Sequence, residues 1–235
     1  MTLQTARETL YKLGDPSKAA HLSRFFKTAP GTYGAHDQFL GILVPHVRAI
    51  AKAYKDLPFE DCADFLQSSF NEERLLALLI LRFQFEKAPP EQQQAIVDFY
   101  LRHSEAINNW NLVDLSAPYI LGKYAVQSAN SQLLLNLAPA ANMWQRRIAI
   151  VSSYAFIRRK RYDITLSLAE IFLTDTQELM HKATGWMLRE VGKREREALC
   201  AFLDQHAAHM PRKMLSYALE HFDKETRQFY RTKMS

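Results

Sequence analysis

Apolar side chains recur at helical spacing along nearly the whole chain. Leu75, Leu78 and Leu79 occupy positions i, i+3 and i+4, and the same pattern returns at 199–203 and at 215–222. No stretch alternates apolar and polar residues between hairpin turns, as a half-buried strand would. The sequence therefore predicts an all-α fold.

Breaks that contain proline, glycine or asparagine divide this pattern into paired helices of roughly 10–18 residues. Trp110, Trp144 and Trp186 are 34 and 42 residues apart, which approximates the period of HEAT-like helical hairpins. Stacked hairpins form a curved α-solenoid whose inner helices share a concave surface. Because no linker or low-complexity segment interrupts the chain, we expect a single domain over residues 1–235.

The net charge of +5 is unevenly distributed. Residues 1–140 carry 13 Lys and Arg against 14 Asp and Glu, whereas residues 141–235 carry 17 against 11. A net charge of +6 in the C-terminal part favours a polyanionic partner on a basic concave face. A solvated basic face without a partner is the alternative.

Several classes of protein are disfavoured. The longest apolar run, at 75–81, is far shorter than the roughly 20 residues that cross a bilayer, and no signal peptide is visible. We therefore expect a cytoplasmic protein with no membrane partner. Cys62 and Cys200 are expected to be buried free thiols. No HExxH pair or glycine-rich phosphate loop is present, so neither a metal nor a cofactor is expected.

The segment NNWNLVDLSAP contains two residues suited to chemistry. Trp110 and Asp114 are four residues apart and share one face of a helix. Since the neighbours of Asp114 are apolar, its carboxylate would be partly desolvated and would need a cationic partner. A core aromatic residue for Trp110, and a helix cap or surface acid for Asp114, are the simpler interpretations.

Arg147 lies in the segment MWQRRIAIV, at the margin of an apolar stripe that includes Trp144 and Ile148. Arg146 and Arg147 must point in different directions, so only one of them is expected to face a given ligand. A guanidinium group matches phosphate oxygens in a bidentate fork. The alternative for Arg147 is a surface salt bridge.

The helix predicted over 178–194 carries Trp186, Arg189, Glu190 and Lys193 at i, i+3, i+4 and i+7. An indole followed by two cations, with Glu190 able to pair with either, is typical of a nucleic-acid-binding face. 

The basic run RRKR at 158–161 is predicted to be a loop between helices. Arg158 and Arg159 in this run are candidates for contacts with flanking phosphates. A solvated loop with no ligand is equally compatible with the pattern.

Four segments together resemble the AlkD family of bacterial DNA glycosylases, which are built from HEAT-like repeats. They are FFKTAPGTYGAHDQFLGILVPHVRAIAK at 25–52, NNWNLVDLSAP, MWQRRIAIV and KATGWMLREVGK. The resemblance implies that Trp110, Asp114 and Trp186 occupy catalytic pocket positions, with Arg147 as a companion arginine. Residues similar to those along the family's DNA path are Arg48, which ends the VPxxR part of the first segment, Arg189 and Lys193.

Three residues depart from the family pattern. Asn111 stands where the family often has Asp, Phe25 where Tyr is common, and Leu43 where Arg is frequent. These departures remove a second acid, a hydroxyl group and one possible phosphate contact. None of them falls on the four pocket positions.

The resemblance implies a monomeric enzyme of base excision repair, in the bacterial cytoplasm and at the nucleoid when bound to DNA. Its partner would be double-stranded DNA that contains N3- or N7-alkylated purines, and the base would be excised without being flipped. Two alternatives are a non-catalytic relative that binds damaged or branched DNA and a protein-binding HEAT scaffold.

Overall fold

A computed structural model describes residues 2–233, and these residues form two compact units that divide between Ser116 and Ala117. The predicted all-α architecture is confirmed: within residues 2–233, the one β-type pairing is an isolated bridge between Gln38 and Phe70. Successive helices pack on one another inside each unit, as in a helical-repeat protein. The expectations of a single domain and of a basic concave face stay predictions.

The helices of the first unit are α1 (Leu3–Tyr11), α2 (Pro16–Phe25), α3 (Val44–Ala53), α4 (Phe59–Leu66), α5 (Asn71–Lys87), α6 (Pro90–Arg102) and α7 (Trp110–Ser116), with a 3-10 turn at Ser104–Ala106. Those of the second unit are α8 (Leu121–Gln127), α9 (Gln132–Leu135), α10 (Met143–Ser152), α11 (Tyr154–Ile157), α12 (Asp163–Ile171), α13 (Glu178–Gly192), α14 (Arg196–His206), α15 (Arg212–Ala218) and α16 (Lys224–Thr232), with a 3-10 turn at Phe172–Thr174.

Short polar side chains start several of these helices. Asp15 accepts hydrogen bonds from the backbone N–H groups of Ser17 and Lys18 at 3.0 and 3.1 Å, just ahead of Pro16 in the first turn of α2. Asn142 accepts the N–H of Trp144 at 2.8 Å and so begins α10. Each cap satisfies N–H groups that have no partner inside the helix.

Helix α5 forms the centre of the first unit. It packs against α3, α4, α6 and α7, and its residues are buried continuously from Asn71 to Leu81. The apolar stripe predicted for this helix is therefore only part of what is buried. The polar residues of its first turn are enclosed as well, and Glu73 is held by Arg7, whose Nε donates to its carboxylate at 2.8 Å.

Helix α13 has the same central place in the second unit, where it packs against α10, α14 and α15. Gly185 lies against the backbone carbonyl of Met214 and the Cβ of Tyr217, both in α15. Helices α13 and α15 therefore approach closely at a point where α13 has no side chain. Trp144, Ile148 and Val151 of α10 are buried, which confirms the predicted core stripe of that helix.

Both cysteines are free thiols. Cys62 is buried as expected, and burial, together with the charges of Asp61 and Glu60, raises the pKa of its thiol to about 12. Cys200 is only partly buried, so the expectation of two fully buried thiols was wrong for Cys200, which lies on the edge of the stripe of α14.

Within residues 2–233, no helix has both the length and the apolar character needed to cross a membrane. The same range holds no group of three or more His, Cys, Asp or Glu residues placed to bind a metal ion.

We predict that Gly185→Ala lowers the stability of the protein by about 1–3 kcal/mol, because an added methyl group would meet backbone atoms that cannot move aside. Gly192→Ala is the matched control, since its methyl group would meet the flexible end of Leu199 and alanine favours a helix. Thermal unfolding of both variants checks this. An equal fall in Tm would contradict the close approach of α13 and α15.

Candidate functional site

The first unit contains a cavity of about 320 Å³ that opens beside α7. Trp110 and Asp114 both line it, from one face of α7. Most of the remaining wall is apolar and comes from α2, the loop before α3, and α5, with the residues Leu22, Phe25, Phe26, Phe39, Ile42, Leu43, Val44 and Leu75.

Aromatic rings form one side of this cavity. Trp110 stacks on Phe26 with ring centroids 4.7 Å apart and an interplanar angle of 14°. Phe26 stacks in turn on Phe39 at 4.8 Å, and Phe25 meets Trp110 edge-on at 5.8 Å. These contacts fix the plane of the indole, so its ring is a rigid part of the wall.

Asp114 is the acidic residue of α7, and its side chain is half-buried at the same cavity. It faces a largely apolar wall, and its charge also acts on the buried Tyr100. Burial raises the pKa of the Tyr100 hydroxyl above its usual value, a hydrogen bond with Ser116 opposes the rise, and the negative charge of Asp114 adds to it. A carboxylate in such surroundings interacts strongly with any positive charge brought near it.

A buried polar network lies below the cavity and is centred on Asp37. Its Oδ2 accepts hydrogen bonds from the side-chain amides of Asn71 at 2.8 Å and Asn109 at 2.7 Å, and its Oδ1 forms an ion pair with Arg74. Asn109 then accepts the backbone N–H of Trp110 through its own Oδ1 at 2.7 Å. This chain of bonds determines where α7 begins, and so where Trp110 and Asp114 lie.

Glu72 and Gly41 support the wall of the cavity. Glu72 accepts the backbone N–H groups of Leu40, Gly41 and Ile42 at 3.0, 2.9 and 3.2 Å, which ties the loop before α3 to α5. Gly41 has a φ of +86° and lies against the backbone of Asp15, where no side chain would fit. The loop is thereby held in one conformation.

The second unit contains Arg147 and Trp186. Arg147 is buried, with 5% of its surface exposed, and its guanidinium donates to the carbonyl oxygen of Leu179 at 2.7 Å. It therefore lies deeper than the margin of the apolar stripe where the sequence pattern put it. Arg146 points elsewhere, as expected, and its Nε forms a 2.7 Å ion pair with Asp175.

Trp186 is half-buried on α13 and lies near Tyr154, with ring centroids 6.4 Å apart. On the same helix, Glu190 accepts from Lys193 at 2.7 Å and from Arg194 at 3.0 Å. Burial alone would raise the pKa of Glu190, but these two hydrogen bonds outweigh it and the net pKa is lowered. Glu190 is therefore ionised at neutral pH.

The remaining predicted DNA-binding residues differ in how they are held. Arg48, Arg158 and Arg159 are exposed, and the last two lie in the predicted turn between α11 and α12. Arg189 forms an ion pair with Glu220, and Lys193 one with Glu190. A phosphate group would have to replace these carboxylates.

The three departures from the family pattern all line the cavity of the first unit. Phe25 is 58% exposed and Leu43 is 47% exposed, so both present apolar surface to solvent at the cavity. Asn111 is buried and donates from its Nδ2 to Asn71 at 2.7 Å. At the cavity wall it is therefore largely enclosed and held by this polar network.

Sequence reasoning missed the Asp37 network. Its signals were present: the polar sequence NEER directly before a long apolar run, and an aspartate between the aromatic residues of GTYGAHDQFLG. By sequence alone, Glu72 and Glu73 look like acids that favour the N-terminus of a helix. Polar side chains at the start of a long apolar helix also mark a buried network when the helix is enclosed on all sides.

Comparison with known proteins agrees with this architecture. Residues 6–222 match the DNA alkylation repair enzyme family. The chain belongs to this family. This membership indicates a role in DNA repair, and the matched residues include both α7 and α13.

This chain is similar to a solved structure, which bears the description of a predicted DNA alkylation repair enzyme from Enterococcus faecalis. The two share 17% sequence identity with a TM-score of 0.70, over 90% of this chain and 97% of the other. At this identity the likeness concerns the fold. A search of curated proteins found no match.

We predict that Asp37→Asn destabilises this repair enzyme by about 3–5 kcal/mol, because it leaves the buried Arg74 guanidinium without its carboxylate. Asp64→Asn removes a carboxylate that also binds an arginine, Arg7, but is 54% exposed, and it should cost less than about 1 kcal/mol. Urea unfolding measures both. Equal losses in the two variants would show that the Asp37 network does not stabilise the first unit.

Proposed function

We propose that this protein is a DNA glycosylase that hydrolyses the N-glycosidic bond of N3- and N7-alkylated purines in duplex DNA. The observation that carries the proposal is the Asp114 carboxylate, which lines an otherwise largely apolar cavity beside the fixed indole of Trp110. Membership of the DNA alkylation repair enzyme family gives this arrangement its context.

The chemistry required of the protein is modest. Alkylation at N3 or N7 puts a positive charge on the purine, so the base leaves with the electron pair of its bond to C1′ and becomes neutral. The sugar then carries an oxocarbenium-like charge until a water oxygen adds to C1′ and releases a proton. An enzyme accelerates this reaction by stabilising positive charge on the sugar and by positioning the water.

Asp114 is assigned to both tasks. Its negative charge would oppose the charge that develops on the sugar, and one of its oxygens would accept a hydrogen bond from the attacking water. Because apolar groups surround the carboxylate, the interaction is weakly screened and stronger than it would be in bulk water. No metal or cofactor enters this mechanism.

Trp110 and Trp186 are assigned to packing against the deoxyribose. The face of an indole carries negative charge density, and a cation held against it is stabilised by roughly 0.5–2 kcal/mol. Stacking on Phe26 keeps the Trp110 ring rigid, which lowers the entropy that the indole would lose when a sugar binds.

Arg147 is assigned to a phosphate next to the lesion, and Arg48, Arg158, Arg159, Arg189 and Lys193 to phosphates along the strand. The exposed members of this set can bind without rearrangement. Arg189 and Lys193 must exchange Glu220 and Glu190 for phosphate oxygens, and the buried Arg147 must first become accessible from its contact with the carbonyl oxygen of Leu179. Binding should therefore weaken steeply with salt.

We further propose that the damaged base is not flipped. The residues assigned to the reaction suit a sugar and a backbone, and none of them is assigned to the hydrogen-bonding edge of a purine. An enzyme that acts on the sugar of a stacked nucleotide should tolerate bulky alkyl groups. As a DNA repair enzyme it would work as a monomer in the bacterial cytoplasm, on the nucleoid.

We predict that the protein releases N7-methylguanine from duplex DNA and that Asp114→Asn slows release by about 10²–10³-fold with little change in DNA affinity. Single-turnover release of the free base measures the rate, and a filter-binding titration measures affinity. Asp98→Asn, which removes an exposed acid of the same unit, is the control and should leave the rate unchanged.

Two results would overturn this assignment. Normal release by Asp114→Asn would show that the carboxylate is not catalytic. Tight binding of methylated DNA by the wild-type protein without any release of base would favour the non-catalytic DNA-binding alternative.

We predict that Trp186→Ala slows base release more than it weakens DNA binding, because its indole is assigned to the sugar in the transition state. Trp144→Ala is the matched control: that indole is buried, and its loss should cost about 3–5 kcal/mol of stability while the folded fraction keeps its rate. Melting temperature and single-turnover rate are measured on both variants. If Trp186→Ala melts as low as Trp144→Ala and its folded fraction excises normally, Trp186 is a core residue.

A further inference from the structure

The first unit has a second and larger cavity, of about 540 Å³, outside the site described above. Its wall comes from the turn between α3 and α4, the C-terminal part of α5, and α6. It shares no residue with the cavity that contains Asp114. This volume lies within the range of about 300–1,000 Å³ that is typical of small-molecule sites.

Two lysines, Lys55 and Lys87, line this cavity from opposite elements. Neither ammonium group forms an ion pair among the residues that the structure describes, although Asp56 also lines the cavity. The nearby ammonium group of Lys55, which has the same charge, lowers the pKa of Lys87. Lys52 acts in the same direction and Asp56 opposes it. Two cations held this close repel each other, and an anion between them would relieve the repulsion.

Gln84 explains why the two lysines stay together. Its side-chain Nε2 donates to the carbonyl oxygens of Lys55 and Leu57 at 2.8 and 2.7 Å, and this ties the turn before α4 to α5. Because both partners are acceptors, the amide orientation is determined, and Oε1 is left as the remaining polar atom. That oxygen is buried without a hydrogen-bond partner in residues 2–233.

Apart from Asp56 and Gln92, the rest of the wall is apolar and partly aromatic. Phe59 and Phe83 line it together with Leu57 and Ile96. Phe59 is held in place by stacking on Phe99, with ring centroids 5.0 Å apart. A ligand that suits this cavity therefore combines an anionic group for the lysines with a planar apolar body for the phenylalanines.

We propose that this cavity binds a nucleoside monophosphate unit, with the phosphate between Lys55 and Lys87 and the base against Phe59 and Phe83. The unit can come from a free mononucleotide or from the phosphorylated end of a DNA strand, since both present the same groups. The proposal is independent of base excision.

The test is a calorimetric titration of the whole protein with dAMP, with deoxyadenosine and with inorganic phosphate as separate probes. Saturable binding of dAMP is expected, at least tenfold tighter than that of either probe alone. The double variant Lys55→Gln/Lys87→Gln should weaken dAMP binding at least tenfold. Because both lysines reach solvent, this variant should keep the melting temperature of the wild type, which a thermal scan verifies.

A matched control separates this cavity from general attraction to basic surface. Lys213→Gln/Lys224→Gln removes two exposed cations of the second unit and should leave dAMP binding unchanged. A short single-stranded oligonucleotide, with and without a 5′-phosphate, distinguishes the sources. If the strand end is the natural ligand, the phosphorylated oligonucleotide binds more tightly than dAMP, and the lysine double variant removes the difference.

Three results would overturn the proposal. They are the absence of saturable dAMP binding, equal weakening in the two double variants, and inorganic phosphate that binds as tightly as dAMP. None of these results bears on the release of N7-methylguanine. The glycosylase activity and this binding site are therefore tested independently of each other.

Discussion

The buried carboxylate of Asp37 is the constraint on which the first unit depends. Isolating a charge from water costs several kcal/mol unless an opposite charge and hydrogen-bond donors meet it. Arg74 and the amides of Asn71 and Asn109 supply these groups, and they come from the start of α5 and the residue just before α7. Three segments that are distant in sequence must therefore come together at one point, which excludes alternative packings of α7.

The same network gives the cavity beside α7 its character. Below it, the carboxylate of Asp37 binds Asn71, Asn109 and Arg74, although Nε of Arg74 has no hydrogen-bond partner within residues 2–233. The surface above is formed mainly by phenylalanine, leucine and tryptophan. Asp114 then stands as a charged group in a poorly solvated wall, where a carboxylate acts on a nearby cation with little competition from water. In the first unit, the Asp37 network contributes stability, and the cavity beside α7 presents the residues assigned to the chemistry.

Much of the helical fold could be predicted from the sequence, because the spacing of apolar residues along the chain indicates a helix and its buried face. The spacing of Leu75, Leu78 and Leu79 predicted α5, and the four-residue interval between Trp110 and Asp114 put both on one face of α7. The sequence did not predict contacts between residues that are distant along the chain. Whether Asp37 meets Asn109, or how deeply Arg147 is buried, depends on which helices pack together, and periodicity within one helix carries no information about its neighbours.

The burial of Cys62 has a consequence for a protein of DNA alkylation repair. The agents that alkylate purines also attack thiolates, which are far better nucleophiles than thiols. With its pKa raised to about 12, the Cys62 side chain remains a thiol at neutral pH, and α4 and its neighbours exclude reagents from it. Cys200 lacks this degree of enclosure. At Cys62, therefore, the core of the first unit protects the protein from the same electrophiles whose damage to DNA its family repairs.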